Sequence, residues 1–288
     1  MKRVILMAGL ALLIIINMQC KEKQDIEADK DALRQAVLND DNWFGCSTTT
    51  DSTIDTSEVK FGTDTLLGWW RGVQTHSDPT IDVQVVGDSA YVDWARHNYG
   101  DLNLLIKVPD TSWQLWVKKV YETASVRGIF RRTGDTNDSL RGWRLQKISL
   151  ATGISDSITQ VKIDSLRIQS QSIPDMVIKD PLNSFYRIDS LSSFGSAEQV
   201  TITLYTNATE GKAFLHTFIF AIIPYVRLPF NYIGNGVYTG TWNTQIVEFP
   251  RFAIFDLMNH KTLFTPPDVY GYDFCGWLFP YQIKNTTE

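Results

Sequence analysis

Apolar and polar positions change rhythm three times along the chain. The first block, Val4 to Ile16, is apolar without interruption and follows the positive Lys2 and Arg3. From Asp25 to Phe44 the spacing of Ile26, Ala32 or Leu33, Ala36 or Val37, and Trp43 predicts a helix. Acidic residues crowd its start, where the helix dipole favours them. The polar run "STTTDSTIDTSE" reads as a loop, and Thr56 or Ser57 is placed to cap a second short helix reaching "LLGWWRG".

After that the period falls to two. In "TIDVQVVGDSAYVDWARHNY" two extended runs flank Gly87-Asp88, the punctuation of a strand turn. More β-rich runs follow at "SWQLWVKKVYETASVRGIFRR" and "GWRLQKISL". In the former, Trp113, Leu115 and Val117 share a face that the pattern assigns to the core. Beyond about Ala151 the helical signal stops, and short β-rich runs recur with turn residues between them. In "VTITLY", Val200, Ile202 and Leu204 point one way and Thr201, Thr203 and Tyr205 the other.

The order of helices followed by a strand meander, ending in "GWRLQKIS", resembles the NTF2-like (SnoaL-like) superfamily over residues 25–152. That resemblance implies an α+β domain with helices against one face of a curved antiparallel sheet. Residues 153–288 resemble a bacterial immunoglobulin-like domain in their strand rhythm, which implies a second, all-β sandwich domain. The immunoglobulin Cys–Trp–Cys spacing is absent. A length of 288 residues accommodates two such domains, each with its own core.

The first block has the length of a secretory signal and falls short of the ~20 apolar residues that span a bilayer. Cys20 follows it directly, and "KEKQDIEADK" follows Cys20. This arrangement resembles a bacterial lipoprotein precursor with a loose lipobox carrying Asn17 and Gln19. The resemblance implies a signal peptide at 1–19, diacylglycerol on Cys20, a tether at 20–24, and a place in the cell envelope on the periplasmic or surface side of a membrane.

Composition narrows the classes. Hydrophobic residues make up 43% of the chain and 9 tryptophans are present, enough apolar surface for an unaided core. Basic residues number 16 against 20 acidic in 21–150, and 9 against 12 in 151–288, so neither half has the basic excess that nucleic acid requires. With Cys20 modified, Cys46 and Cys275 are the only thiols left, and with four scattered histidines they offer no metal-site spacing. No cofactor signature occurs: "GNGVYTG" reads as a strand turn, "GDSAY" lacks the nucleophile-elbow frame, and "DTNDS" lacks the rest of a calcium loop.

One constellation carries possible chemistry. On a strand, Tyr91, Asp93, His97 and Tyr99 of "YVDWARHNY" share a face. The superfamily resemblance implies a hollow between sheet and helices that takes small apolar ligands, where an Asp93/His97 pair would serve acid–base work. On the solvated side of the sheet the same residues would be ordinary surface. Trp69 and Trp70, with Tyr91 and Tyr99, are candidates to line a ligand pocket, or else core. Cys275 reads as a buried small apolar side chain. The expectation is an envelope protein that binds or assembles without catalysis, its partners the membrane through Cys20 and an envelope protein or small ligand. The alternative is a small-molecule enzyme or carrier.

Overall fold

The computed structural model describes residues 25–40, 42–45, 59–61, 64–107, 113–217, 226–244 and 251–284. Cys20, Cys46, Thr56 and Ser57 lie outside them. Two α-helices are present among the described residues, α1 at 25–38 and α2 at His260–Phe264. The strands are β1 Val59–Phe61, β2 Asp64–Arg71, β3 Thr75–His76, β4 Thr80–Val86, β5 Ser89–Lys107, β6 Trp113–Arg132, β7 Trp143–Ser149 and β8 Ala151–Ser155. They continue as β9 Ile163–Gln169, β10 Met176–Ile178, β11 Phe185–Arg187, β12 Ser192–Gly195, β13 Gln199–Thr206, β14 Lys212–Thr217, β15 Val226–Pro229, β16 Asn231–Gly234, β17 Val237–Asn243, β18 Arg251–Met258 and β19 Phe274–Lys284.

These strands form two sheets. A 14-stranded sheet runs β1-β2-β5-β6-β8-β19-β18-β14-β15, with shorter strands pairing off that path; a 5-stranded sheet runs β10-β9-β13-β17-β16. The expected fold class, helices on an NTF2-like sheet followed by a separate immunoglobulin-like domain, is therefore corrected. The protein is mostly β, built on one curled antiparallel sheet to which strands on both sides of residue 152 contribute. The error starts at "LLGWWRG": the segment read as a second helix is the end of β2, where Trp69 and Trp70 pair with Leu104 and Asn103. Its paired tryptophans fit a pleated surface better than a short helix.

The hairpin at Gly87-Asp88 is present, with Val86 opposite Ser89 and Gly87 at φ 58°, a conformation open to glycine. One helix does cover the first half of the sheet. Asp29, Leu33 and Val37 of α1 lie four residues apart on its buried side, and the two apolar residues pack with Val83, Val92, Trp94 and Phe130. Asp29 fixes the helix by accepting from Arg141 Nε at 2.7 Å and from Arg132. Burial works to raise the Asp29 pKa, but the bonds from Arg141, Trp143 and Arg132 hold it below the usual range.

The second half is sandwich-like. The inner face of the small sheet, with Ile163, Leu166, Ile168, Val200, Ile202, Leu204, Tyr238 and Trp242, packs on Leu215, Phe255, Trp277, Phe279 and Tyr281 of the large one. Full burial of each such Leu or Ile contributes about 1.5–3 kcal/mol relative to exposure. The alternate residues of the same large-sheet strands, Phe214, Ile254, Met258, Phe274 and Leu278, face the inside of the curl. Strands β18 and β19 are thus covered on both sides.

Candidate functional site

The curl brings the two ends of the long strand path together. Trp69 of β2 meets Phe214 of β14 with ring centroids 5.3 Å apart, and Arg227 of β15 donates from Nη1 to the Trp69 carbonyl at 3.0 Å. Its guanidinium also sits 3.6 Å from the Trp69 ring centroid. Trp69 is fully buried here, a core residue rather than a pocket wall, while Trp70 turns to the opposite, partly exposed face.

Beside this closure lies a buried charged network. Arg71 donates from Nη1 to Asp256 Oδ2 and from Nη2 to the Tyr272 hydroxyl, each at 3.2 Å. The Tyr272 hydroxyl donates to Glu122 Oε2 at 3.3 Å, and Asn98 Nδ2 donates to Glu122 Oε1 at 3.0 Å. His216 Nε2 lies 2.6 Å from Asp256 Oδ2. These groups come from β2, β5, β6, β14, β18 and the approach to β19, so the network ties strands that are far apart in the sheet order. All six residues are buried.

The electrostatics agree with a closed, mutually neutralised cluster. Burial acts to raise the Asp256 carboxyl pKa, and the nearby His216 and Arg71 outweigh it and hold the pKa low. Burial opposes the Arg71 charge, yet Tyr272, Asp256 and Glu122 raise its pKa overall. Burial drives the Tyr272 phenol well above its ordinary value and keeps it a neutral donor. Gly276, opposite Asp256 across the β18–β19 ladder, makes room: a Cβ there would lie 2.6 Å from the Phe274 ring and 3.2 Å from Asp256 Oδ1.

None of the site residues expected from sequence belongs to this cluster. Asp93 and His97 stand on the exposed outer face of β5, and each has its own partner. Asp93 pairs with Arg127 at 2.8 Å, whereas His97 Nδ1 sits 3.1 Å from Asp156 Oδ2 and 3.0 Å from the Thr123 hydroxyl. Tyr91 and Tyr99 are exposed on the same face, and Tyr99 packs edge-on against Tyr121 at 5.9 Å. The face assigned to the core in "SWQLW" is also reversed. Trp113, Leu115 and Val117 are 46%, 55% and 40% exposed, while Lys118, Val120 and Glu122 turn inward. Cys275 is buried, and burial pushes its thiol up to about 11.

A second feature is an open cleft of about 210 Å³ beside α2, lined by Asn207, Glu210, Asn259, His260 and Lys261 among others. The loop behind it is braced by Asp273. Its Oδ2 accepts from Asn259 Nδ2 at 2.7 Å and from the Tyr270 hydroxyl at 2.9 Å, and its Oδ1 accepts from the Gln160 amide at 3.1 Å. Glu210 and Lys261 give the cleft both signs of charge, a lining suited to a small polar molecule. Among the described residues no group of three or more His, Cys, Asp or Glu converges to hold a metal.

The missed residues carry one signal in common. Asp256 in "RFAIFDLM" and His216 in "AFLHTFIF" are single polar residues inside apolar runs, and a polar group buried that way needs a partner. Comparison with known protein families, with characterised proteins and with solved structures finds no match.

Proposed function

We propose that the chain is an exported envelope protein, tethered through a diacylglyceryl group on Cys20, that acts as a non-enzymatic binding or assembly module. The observation that carries the binding reading is the outer face of β5 and β6. Tyr91, Tyr99, Tyr121, Trp113, Leu115 and Val117 stand exposed along it: Tyr99 and Tyr121 between the ion pairs Asp93–Arg127 and Asp101–Lys119, Tyr91 beyond the first pair, and Val117, Leu115 and Trp113 beyond the second. Apolar and aromatic surface laid open along one sheet face is a recognition feature. Inside the curl, by contrast, the charged groups hold one another.

Only residues 21–24 separate Cys20 from α1, a reach of at most about 18 Å, and Asp29 bolts α1 to the sheet through Arg132 and Arg141. An acyl chain on Cys20 would therefore hold a rigid body close to the bilayer. Among the described residues no helix is long and apolar enough to cross a membrane. The test is intact-mass analysis after expression in a bacterial host, beside a Cys20→Ala variant. A mature chain beginning at Cys20 with added acyl mass, lost from the variant along with membrane association, is the expected result. A chain that begins elsewhere without acyl mass rejects the tether.

A further inference from the structure

Strand β6 is 20 residues long, but only part of it has neighbours on both sides. Strand β5 pairs with it from Trp113 to Arg131 in an unbroken register. On its other side, among the described residues, pairing begins at Glu122 with β8 and resumes at Gly128 with β7. Among the described residues, Trp113 to Val120 is an open edge.

Which main-chain groups face outward follows from one bond. The Asp156 amide donates to the Tyr121 carbonyl at 2.8 Å from the β8 side, so the main-chain groups of Tyr121 point away from β5. In an antiparallel strand the side alternates by residue. Trp113, Leu115, Val117 and Lys119 therefore also direct N–H and C=O outward: four residues with two groups each, eight in all. Natural edges are blunted by lysines, inward charges, proline, bulges or short length. This one has no proline and no bulge from 113 to 120, and its charges, the inward Lys118 and the outward Lys119, are confined to one end, leaving 113–117 without a charge.

We propose that this edge pairs antiparallel with the same edge of a second copy of the chain, across a two-fold axis at Trp116. The edge is self-complementary in hydrogen bonding, which points to a second copy, and the separation of the lysines selects the register. Centring on Trp116 sets Leu115 against Val117 and Trp113 against Lys119 of the second copy, and all eight outward groups find partners. Centring on Val117 instead sets Trp113 against Tyr121, whose carbonyl is already bonded to Asp156. Centring on Lys118 sets two like charges face to face. In the Trp116 register each lysine meets a neutral residue: Lys118 is opposite Gln114, and Lys119, whose ammonium is paired with Asp101 of its own copy, is opposite Trp113. The exposed Leu115 and Val117 side chains cover each other, continuing the sheet and its outer face from one copy into the next. The pairing rests on the assembly reading of this face, and acylation of Cys20 is no part of it.

The experiment is sedimentation of the detergent-extracted full chain over a range of concentrations, beside Val117→Pro. The Val117 N–H points to the open edge, so proline there removes no bond to β5 but blocks the new ladder. Expected is a concentration-dependent dimer that Val117→Pro converts to monomer with its thermal unfolding little changed. Trp116→Cys should oxidise to a covalent dimer beyond the wild-type level, since residues facing across the axis sit about 4.5 Å apart at Cα. Gln114→Cys should not, being displaced from its own copy by four residues, roughly 13 Å. A monomer at every concentration, a dimer indifferent to Val117→Pro, or crosslinking by Gln114→Cys equal to that of Trp116→Cys overturns the proposal. Intact mass separates this from the tether: a monomer carrying the acyl mass sinks the pairing alone, and a dimer lacking it sinks the tether alone.

Discussion

Strands β18–β19 and the β5–β6 hairpin belong to one sheet, yet they meet opposite surroundings. Both faces of β18 and β19 are covered, one by the small sheet and the other by the inside of the curl. The outer face of β5 and β6 meets solvent, and its ion pairs are half-exposed. The same chemistry therefore carries different weight. A carboxylate beside an arginine is a strand-to-strand clamp at Asp256 and surface decoration at Asp93, because water screens the second and is excluded from the first.

The sharpest way to break this contrast is to remove one partner of the buried pair. Asp256→Ala leaves the Arg71 guanidinium enclosed with its main counter-ion gone, and should cost about 3–5 kcal/mol in urea unfolding. Replacing both partners, Arg71→Met with Asp256→Leu, removes the enclosed guanidinium but also takes a nearby cation from the buried Glu122, so it should recover only part of that loss. A single substitution costing under about 1 kcal/mol would show that these groups are not clamped in a dry interior.

The contrast also explains what could be read in the sequence. Alternation is visible where one face meets water, so the turn at Gly87-Asp88 and the β4 and β5 runs were legible. In β18 and β19 alternation vanishes because both faces are apolar, and nothing local says which way Asp256 points. In β6 alternation is present but its phase misleads. Trp113, Leu115 and Val117 mark the solvent face, while Lys118 and Glu122 mark the interior, an arrangement that stands only through partners on α2, β5 and the approach to β19. Those partners are distant in sequence, and periodicity carries no trace of them. The same limit hid the shared sheet: β19 pairs with β8 from more than a hundred residues away.

Lys118 tests the inward phase of β6 by titration. Its ammonium donates to the Lys261 carbonyl at 3.0 Å, and burial pushes its pKa down to about 8 from the ordinary 10.5. Between these values the unfolded chain binds the proton more tightly than the folded one, so stability should rise with pH across roughly 8 to 10.5 and level off below. Lys118→Met keeps the apolar stem and removes the charge. It should flatten that slope and stabilise the protein at pH 7 by on the order of 1 kcal/mol. An unchanged slope in the variant would mean that Lys118 reaches water and that the inner face is less closed than its neighbours indicate.

The smallest effects belong to the outer face. Asp93 and Arg127 are directly opposite each other on β5 and β6, but their side chains are 57% and 37% exposed, so the pair keeps most of its hydration in either state. His97 shares Asp156 with Thr123 in a similarly open setting. Asp93→Ala and His97→Ala should each shift stability by no more than about 0.5 kcal/mol, with added salt erasing most of what Asp93→Ala does. Chemical denaturation at low and high ionic strength reads both quantities. A loss above about 2 kcal/mol, insensitive to salt, would put Asp93 in the class of Asp256 and dissolve the distinction between the covered and the open part of the sheet.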